Sequence, residues 1–267
     1  MRRSRAALGL AAALATAAGG TTFAADAVIA SPPTARSAPQ VANASYDGRF
    51  AFVRLRFDDG RGLRSGYFDY GRGREPFWAH DTPRAEHNLL RIMEELTVVT
   101  TDPEHRLVLD ADDPELLRYP VAYIVEVGYW HPTDAETRGL RTWLQKGGFL
   151  IVDDFRGDHF LNFEAQLRRV LPGAQLLPLE AGEEVFDSFF HIADPHSLIP
   201  PYERELPPVY LGVFENNDPS RRMMVVVNYN QDLAEYWEFS DHGYYPIDLS
   251  NDAYKFGVNY VIYGLTH

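Results

Sequence analysis

Cysteine is absent from all 267 residues, and that one absence excludes disulfides, thiolate metal sites and cysteine nucleophiles together. Positive charge is also scarce. Lys and Arg number 25 against 38 Asp and Glu, a formal net charge of -13. Nucleic acid is therefore excluded as a partner, since phosphate binding needs clustered Lys and Arg, and adsorption to anionic membranes is disfavoured as well. The phosphate-loop pattern G-x-x-x-x-G-K-[ST] is missing, and no G-x-G-x-x-G follows a strand, so no nucleotide cofactor is expected. Gly71-Arg72-Gly73 lies ahead of a helix, without the strand that such a motif requires. Neither H-E-x-x-H nor a G-x-S-x-G elbow occurs.

What remains is ordinary globular material. Hydrophobic residues make up 45% and charged residues 24%, so neither disorder nor a fibre is expected, and a chain this long buries a core without staples.

Residues 1–30 read as a cleaved export signal. Arg2, Arg3 and Arg5 precede the small-apolar run Ala6 to Ala18, and small residues around Ala24 and Ala30 offer cleavage sites. The run is about half what a bilayer-spanning helix needs, so no integral span is expected after cleavage. Cleavage would remove three Arg and one Asp, taking the net charge two units down from -13 to -15. Residues 31–45 form a Ser, Pro and Ala-rich linker, which leaves 46–267 as a single domain, exported to the periplasm or the exterior.

Within that domain strand and helix patterns alternate. Strands are predicted at residues 50–57, 121–127 and 149–152, with a short one near Gln175 to Leu179. Thr82-Pro83 predicts a helix start, and Leu89, Ile92, Met93 and Leu96 share one helical face. Thr133-Asp134-Ala135-Glu136 is a capping box, whose helix turns Leu140, Trp143 and Leu144 inward and stops at Gly147-Gly148. A helix from about Asp158 carries Phe160, Phe163, Leu167 and Val170. Residues 209–214 and 223–229 flank turn residues as a C-terminal hairpin, and a closing helix starts near Asn251. The expected fold is α/β, a mainly parallel sheet of about five or six strands with helices on both faces, plus the hairpin and helix.

Ligands of open α/β sheets bind beyond the carboxyl ends of the strands. That rule selects Asp58 and Asp59, then Tyr129, Trp130 and His131, then Asp153, Asp154, Asp158 and His159. Oxygen-rich groups suit Mg²⁺ or Ca²⁺, and a histidine shifts the preference toward Zn²⁺ or Mn²⁺. The metal candidates are therefore Asp153, Asp154 and His131. The bland alternatives are a helix cap for Asp158, a solvated loop for His131 and aromatic packing for Tyr129 and Trp130. Side chains alternate along a strand, so Asp153 and Asp154 should differ: Asp154 faces the crevice and Asp153 the N–H groups of the following loop. A second polar and aromatic stretch holds Asn228, Asp232, Glu235, Trp237, Glu238, Asp241 and His242, which fits a carbohydrate or other small-molecule ligand, or a turn-rich loop.

The segment from Leu140-Arg141-Thr142-Trp143-Leu144 through Gly147-Gly148-Phe149-Leu150 to Asp153-Asp154 resembles a bacterial family, domain of unknown function 4159. Arg54-Leu55, Asn88-Leu89-Leu90-Arg91, Tyr119-Pro120, Gly257 and Asn259 support the likeness over roughly residues 50–265. That family is in turn similar to the class I glutamine amidotransferase-like superfamily, which implies a flavodoxin-like, doubly wound sheet. The superfamily's enzymes carry a cysteine at the elbow where this chain has Asp153, Asp154 and Phe155, so their cysteine chemistry is excluded. A ligand-binding or interaction module is the leading expectation. The alternatives are a metal-assisted hydrolase of a carbohydrate or cell-envelope substrate, and a structural scaffold in the envelope.

Overall fold

The computed structural model describes Asn43 and residues 45–59, 68–69 and 74–267. The export segment, most of the linker and the Gly71-Arg72-Gly73 loop lie outside the described residues. Nine strands are described among them: β1 (Val53–Arg56), β2 (Phe68–Asp69), β3 (Arg74–Glu75), β4 (Leu107–Asp110), β5 (Val121–Val125), β6 (Phe149–Phe155), β7 (Leu177–Pro178), β8 (Val209–Phe214) and β9 (Met223–Tyr229). The helices are α1 (Arg84–Leu96), α2 (Asp134–Gln145), α3 (His159–Val170), α4 (Leu233–Glu238) and α5 (Ile247–Thr266). A seven-stranded sheet runs β4-β1-β5-β6-β9-β8-β7, and β2 pairs with β3 apart from it. The first five of the seven are mutually parallel; β8 pairs antiparallel with β9, and β7 antiparallel with β8, so that β7 runs with the first five.

The sheet is buried on both faces, which is why β5 reads as a continuous apolar run. Val121, Tyr123 and Val125 share one core with Leu89 and Met93 of α1, Trp237 of α4 and Phe256 of α5. Ala122 and Ile124 share the other with Leu140 and Trp143 of α2 and Phe163 of α3. Each such side chain, fully buried, contributes roughly 1.5–3 kcal/mol relative to exposure. The capping box forms as its spacing predicts, with Thr133 Oγ1 accepting from Glu136 N at 3.1 Å and Glu136 Oε2 from Thr133 N at 2.7 Å. Gly147, at φ 113°, ends α2 in a conformation that side chains resist.

Several boundaries move. The strand predicted at 50–57 contracts to Val53–Arg56, and β4, which pairs with its outer edge, has no counterpart in the prediction. The central strand stops at Val125 because Glu126 turns left-handed. Pro83 sits at the N-cap of α1 rather than inside it, after a cis Thr82–Pro83 bond, and Leu96 lies half-exposed at the far end. Asp158 occupies the N-cap position of α3, but its side chain makes no capping hydrogen bond. Helix α5 begins four residues ahead of Asn251. Among the described residues no helix is long and apolar enough to cross a membrane.

Candidate functional site

Four neighbouring parallel strands, β1, β5, β6 and β9, deliver acids to one edge of the sheet. Asp81 lies in the connection from β1 to α1, Glu126 directly follows β5, Asp154 is near the end of β6, and Asp232 caps α4 just after β9. All four are buried, as is Glu235 in the first turn of α4. Three of the strand ends leave by the same device: Glu126, Asp154 and Asn230 have φ of 51°, 50° and 58°, and Asp81 has 63°. Left-handed backbone costs a non-glycine residue on the order of 1–2 kcal/mol, and such strain gathers at functional sites. Here it breaks the strand alternation, so the side chain of Asp154 swings onto the edge instead of continuing the β6 pattern.

Asp153 and Asp154 do separate. The Asp153 carboxylate accepts from Tyr123 Oη at 2.6 Å, Asn228 Nδ2 at 3.1 Å, Leu233 N at 2.8 Å and Ala234 N at 3.3 Å. Its backbone donors belong to the start of α4, reached from β9, not to the loop after its own strand. Asp154 Oδ2 lies 2.7 Å from His80 Nδ1, and its Oδ1 is 3.5 Å from a guanidinium nitrogen of Arg156. Around it, ligating atoms fall into three groups whose members lie within 4.8 Å of one another: His80, Glu126 and Asp154; Asp81, Asp154 and Asp232; Asp81, Glu235 and Glu238. The Asp81 side chain is 0% exposed, yet neither of its oxygens accepts a hydrogen bond, and Asp232 Oδ2 accepts none either. Asp232 Oδ1 is committed to the N–H of Glu235 at 2.9 Å.

Crowded acids in a dry place shift one another. Burial, reinforced by the Asp154 charge, pushes the Glu126 carboxyl up to about 9. Burial also drives Asp81 and Asp232 well above the ordinary carboxylate range. Asp153 is raised by burial to about 6, with the Tyr123 hydrogen bond holding it back. Asp154 goes the other way: burial opposes its charge, but the hydrogen bond and charge of His80 outweigh that. Burial likewise opposes the imidazolium of His80, and Asp81 together with Asp154 overcomes it and lifts that group to about 10. Burial, then the Arg156 charge, lowers His159.

The sign of the linkage follows for the ion-free protein. A group with a raised folded pKa contributes stability that is complete below its unfolded value and lost as pH climbs through its folded one. For Glu126 that window runs from 4.5 to about 9, and for His80 from 6.5 to about 10. The opposing shifts of Asp154 and His159 act below 3.8 and 6.5. In chelator, the melting temperature should therefore fall steadily between roughly pH 7 and pH 9.5. A flat calorimetric profile over that interval would contradict this burial of Glu126 and His80.

A strap roofs the edge. Gln231 Nε2 donates to Leu198 O at 3.0 Å, Asn230 Nδ2 to Pro207 O at 3.1 Å, and the Tyr236 hydroxyl to Ile199 O. Between these anchors Tyr202 donates its hydroxyl to Glu235 Oε1, which also accepts from Tyr245 Oη at 2.7 Å, and the Arg156 guanidinium lies 5.0 Å over the Tyr202 ring. The space left beneath Tyr202, beside Asp232, is about 10 Å³, about the room that one water or one ion needs. On the other flank His159 sits so close to Gly128 that a Cβ there would come within 2.3 Å of its ring. Its Nδ1 makes no hydrogen bond and stands 4.0 Å from Glu126 Oε2.

Of the residues that the sequence selects, the edge gathers Asp154, Asp232, Glu235 and Glu238, with His159 beside Glu126. Asp153 and Asn228 are saturated supports beneath it, and Asn228 Oδ1 accepts from Tyr260 Oη at 2.8 Å. Asp58, Asp59 and His131 belong to none of the three groups. His131 is on an exposed loop, with its ring 3.1 Å from Tyr129 O and its N–H on Asp58 O at 3.0 Å. Tyr129 stacks on Phe77 at 3.6 Å, while Trp130 and Trp237 are core residues. His80, Asp81, Glu126 and Arg156 were not selected from sequence at all. The family described as a domain of unknown function (DUF4159) matches residues 64–265. No curated protein matches the chain.

Proposed function

The chain belongs to that family, and we propose that it is an exported ligand-binding domain whose site is organised by a divalent cation. The observation that carries this is Asp81. Both its oxygens are buried without a hydrogen bond, and although the His80 ring lies 3.8 Å from Oδ1, Asp154 and Asp232 crowd it, so ionising it costs several kcal/mol unless a further positive charge meets the group. All the acids offer oxygen, and His80 adds one nitrogen, a donor set suited to Mg²⁺ or Mn²⁺ and compatible with Zn²⁺. The parallel strands lie in the sequence order 2-1-3-4-5, which supports a flavodoxin-like, doubly wound sheet, with ligands at the carboxyl edge. The left-handed turn at Asp154, where β6 gives way to α3, supports the amidotransferase-like likeness, with an acid where those enzymes hold their nucleophile.

Under this reading the cation and Arg156 together present positive charge to an oxygen-rich ligand, such as a carbohydrate or a carboxylate, admitted when the strap lifts. A second reading, metal-assisted hydrolysis, is favoured by one observation. His159 Nδ1 is unbonded and adjoins Glu126, where it could take a proton from a cation-bound water.

The test is thermal. Chelator-treated protein should melt higher on addition of Mn²⁺, Mg²⁺ or Zn²⁺. A cation held at 100 times its dissociation constant adds about 2.7 kcal/mol, which for a domain of this size is a rise of roughly 5–10 °C. Asp154→Asn should fold and lose most of that rise. No rise with any of these ions, or Ca²⁺, refutes the proposal.

A further inference from the structure

The geometry points to two cations, not one, held side by side and sharing the carboxylate of Asp81; this rests on the cation-binding reading above. The three ligand groups form a chain. His80, Glu126 and Asp154 make one end, and Asp81, Glu235 and Glu238 the other. The middle group, Asp81, Asp154 and Asp232, has one member in common with each end. The atoms of the two ends do not fall within one 4.8 Å group, about twice the 2.0–2.6 Å at which an ion contacts its ligands, so one ion does not serve both ends. Two ions at the separation of about 3.5–4 Å seen in two-metal sites can do so.

Asp81 is built for the shared position. Both its oxygens are buried and unsatisfied, which leaves one for each ion. An ion bound to one oxygen would leave the other without a partner of its own. Asp232 Oδ2 is likewise unsatisfied beside it, its partner oxygen being occupied by the α4 cap.

The charge balance agrees. Asp81, Glu126, Asp154, Asp232, Glu235 and Glu238 are the six carboxylates of the three groups. A histidine that ligates metal is neutral, so the nearest compensating charge is the single guanidinium of Arg156, 3.5 Å from Asp154. Arg54 is already engaged by Glu86, and Asp153 already accepts from four donors. With the acids deprotonated by metal binding, five net negative charges remain; two divalent cations neutralise four of them, and one cation only two.

Manganese distinguishes the cases, because two Mn²⁺ ions that share a carboxylate couple magnetically. The chelator-treated protein would be titrated with Mn²⁺, bound metal counted by equilibrium dialysis, and the loaded sample measured by electron paramagnetic resonance. Two ions per chain with a spin-coupled spectrum are expected. Glu235→Gln, which keeps an acceptor for Tyr202 and Tyr245, should bind one ion and give the uncoupled six-line signal, while its melting temperature in chelator stays within a few degrees of the parent. One ion per chain in the parent overturns the pair and leaves the cation-binding reading standing. Two ions without coupling overturn the shared carboxylate, and no bound ion overturns both.

Discussion

Glu86→Ala should lower the unfolding free energy by about 3–5 kcal/mol, the usual cost of stranding a buried charge. Its partner Arg54 lies in β1 with 1% of its surface exposed. Arg54 Nε donates to Glu86 Oε1 at 2.6 Å, and the guanidinium sits 4.7 Å from the centre of the Tyr123 ring. Nη1 of Arg54 donates to nothing and Glu86 Oε2 accepts from nothing, so the pair fixes geometry more than it optimises energy. Removing only the carboxylate leaves the guanidinium against an aromatic ring, with no route to water. Replacing both partners by Leu should recover most of the loss, because the desolvation cost disappears with the charges. Urea melts of the two single variants and the double variant measure this. A loss below 1 kcal/mol for Glu86→Ala would show that Arg54 finds water, against the packing described.

Asp153→Ala should be of similar size, about 3–6 kcal/mol, for the opposite reason. It strands donors rather than a charge: the Tyr123 hydroxyl, the Asn228 amide and the N–H groups of Leu233 and Ala234 all point at the missing carboxylate. Each buried unsatisfied donor costs roughly 1–3 kcal/mol, partly relieved by relaxation. Asp153→Asn should cost only about 1–3 kcal/mol, since an amide oxygen still serves the α4 N–H groups and Asn228 can reorient. Asp154→Ala is the control. It strands no backbone donor, and its partners, the His80 ring and Arg156, are partly exposed and can turn to water, so in chelator it should cost less than Asp153→Ala. Equal losses at the two positions would refute the division of labour between support and site.

Much of the scaffold was legible because it is written in local patterns. The capping box at Thr133, the apolar runs of β5 and β6 and the hairpin of β8 and β9 each follow from a few adjacent residues. Strand β4 escaped because Leu107-Val108-Leu109 is short and lies between turn-rich stretches, so nothing local sets it apart. The site was half legible. Asp154 and Asp232 stand at recognisable strand ends, but Glu126 closes an apolar run and reads as part of the strand until its left-handed turn is seen. His80 and Asp81 sit in a connection with no periodicity, and only the fold brings them to Asp154. One signal was present: an acid ending an otherwise apolar run, as Glu126 does, has no packing reason to be there. In sequence His131 is preferred to His159 as a metal candidate, and only the direction of the loop after β5 puts it on an exposed loop away from the acids.

The strap over the edge bears on time as well as affinity. An ion held by Glu235 would lie under the strap on that flank, because Glu235 accepts from the same Tyr202 that closes the roof. Entry and departure on that flank would then wait for the segment between Leu198 and Pro207 to detach from Gln231, Asn230 and Tyr236, so exchange there would run at the frequency of that opening rather than at the rate an exposed carboxylate would allow. Binding strength and residence become separate properties of the molecule: changes in the anchoring amides alter how long an ion stays, and changes in the carboxylates alter whether it is held at all.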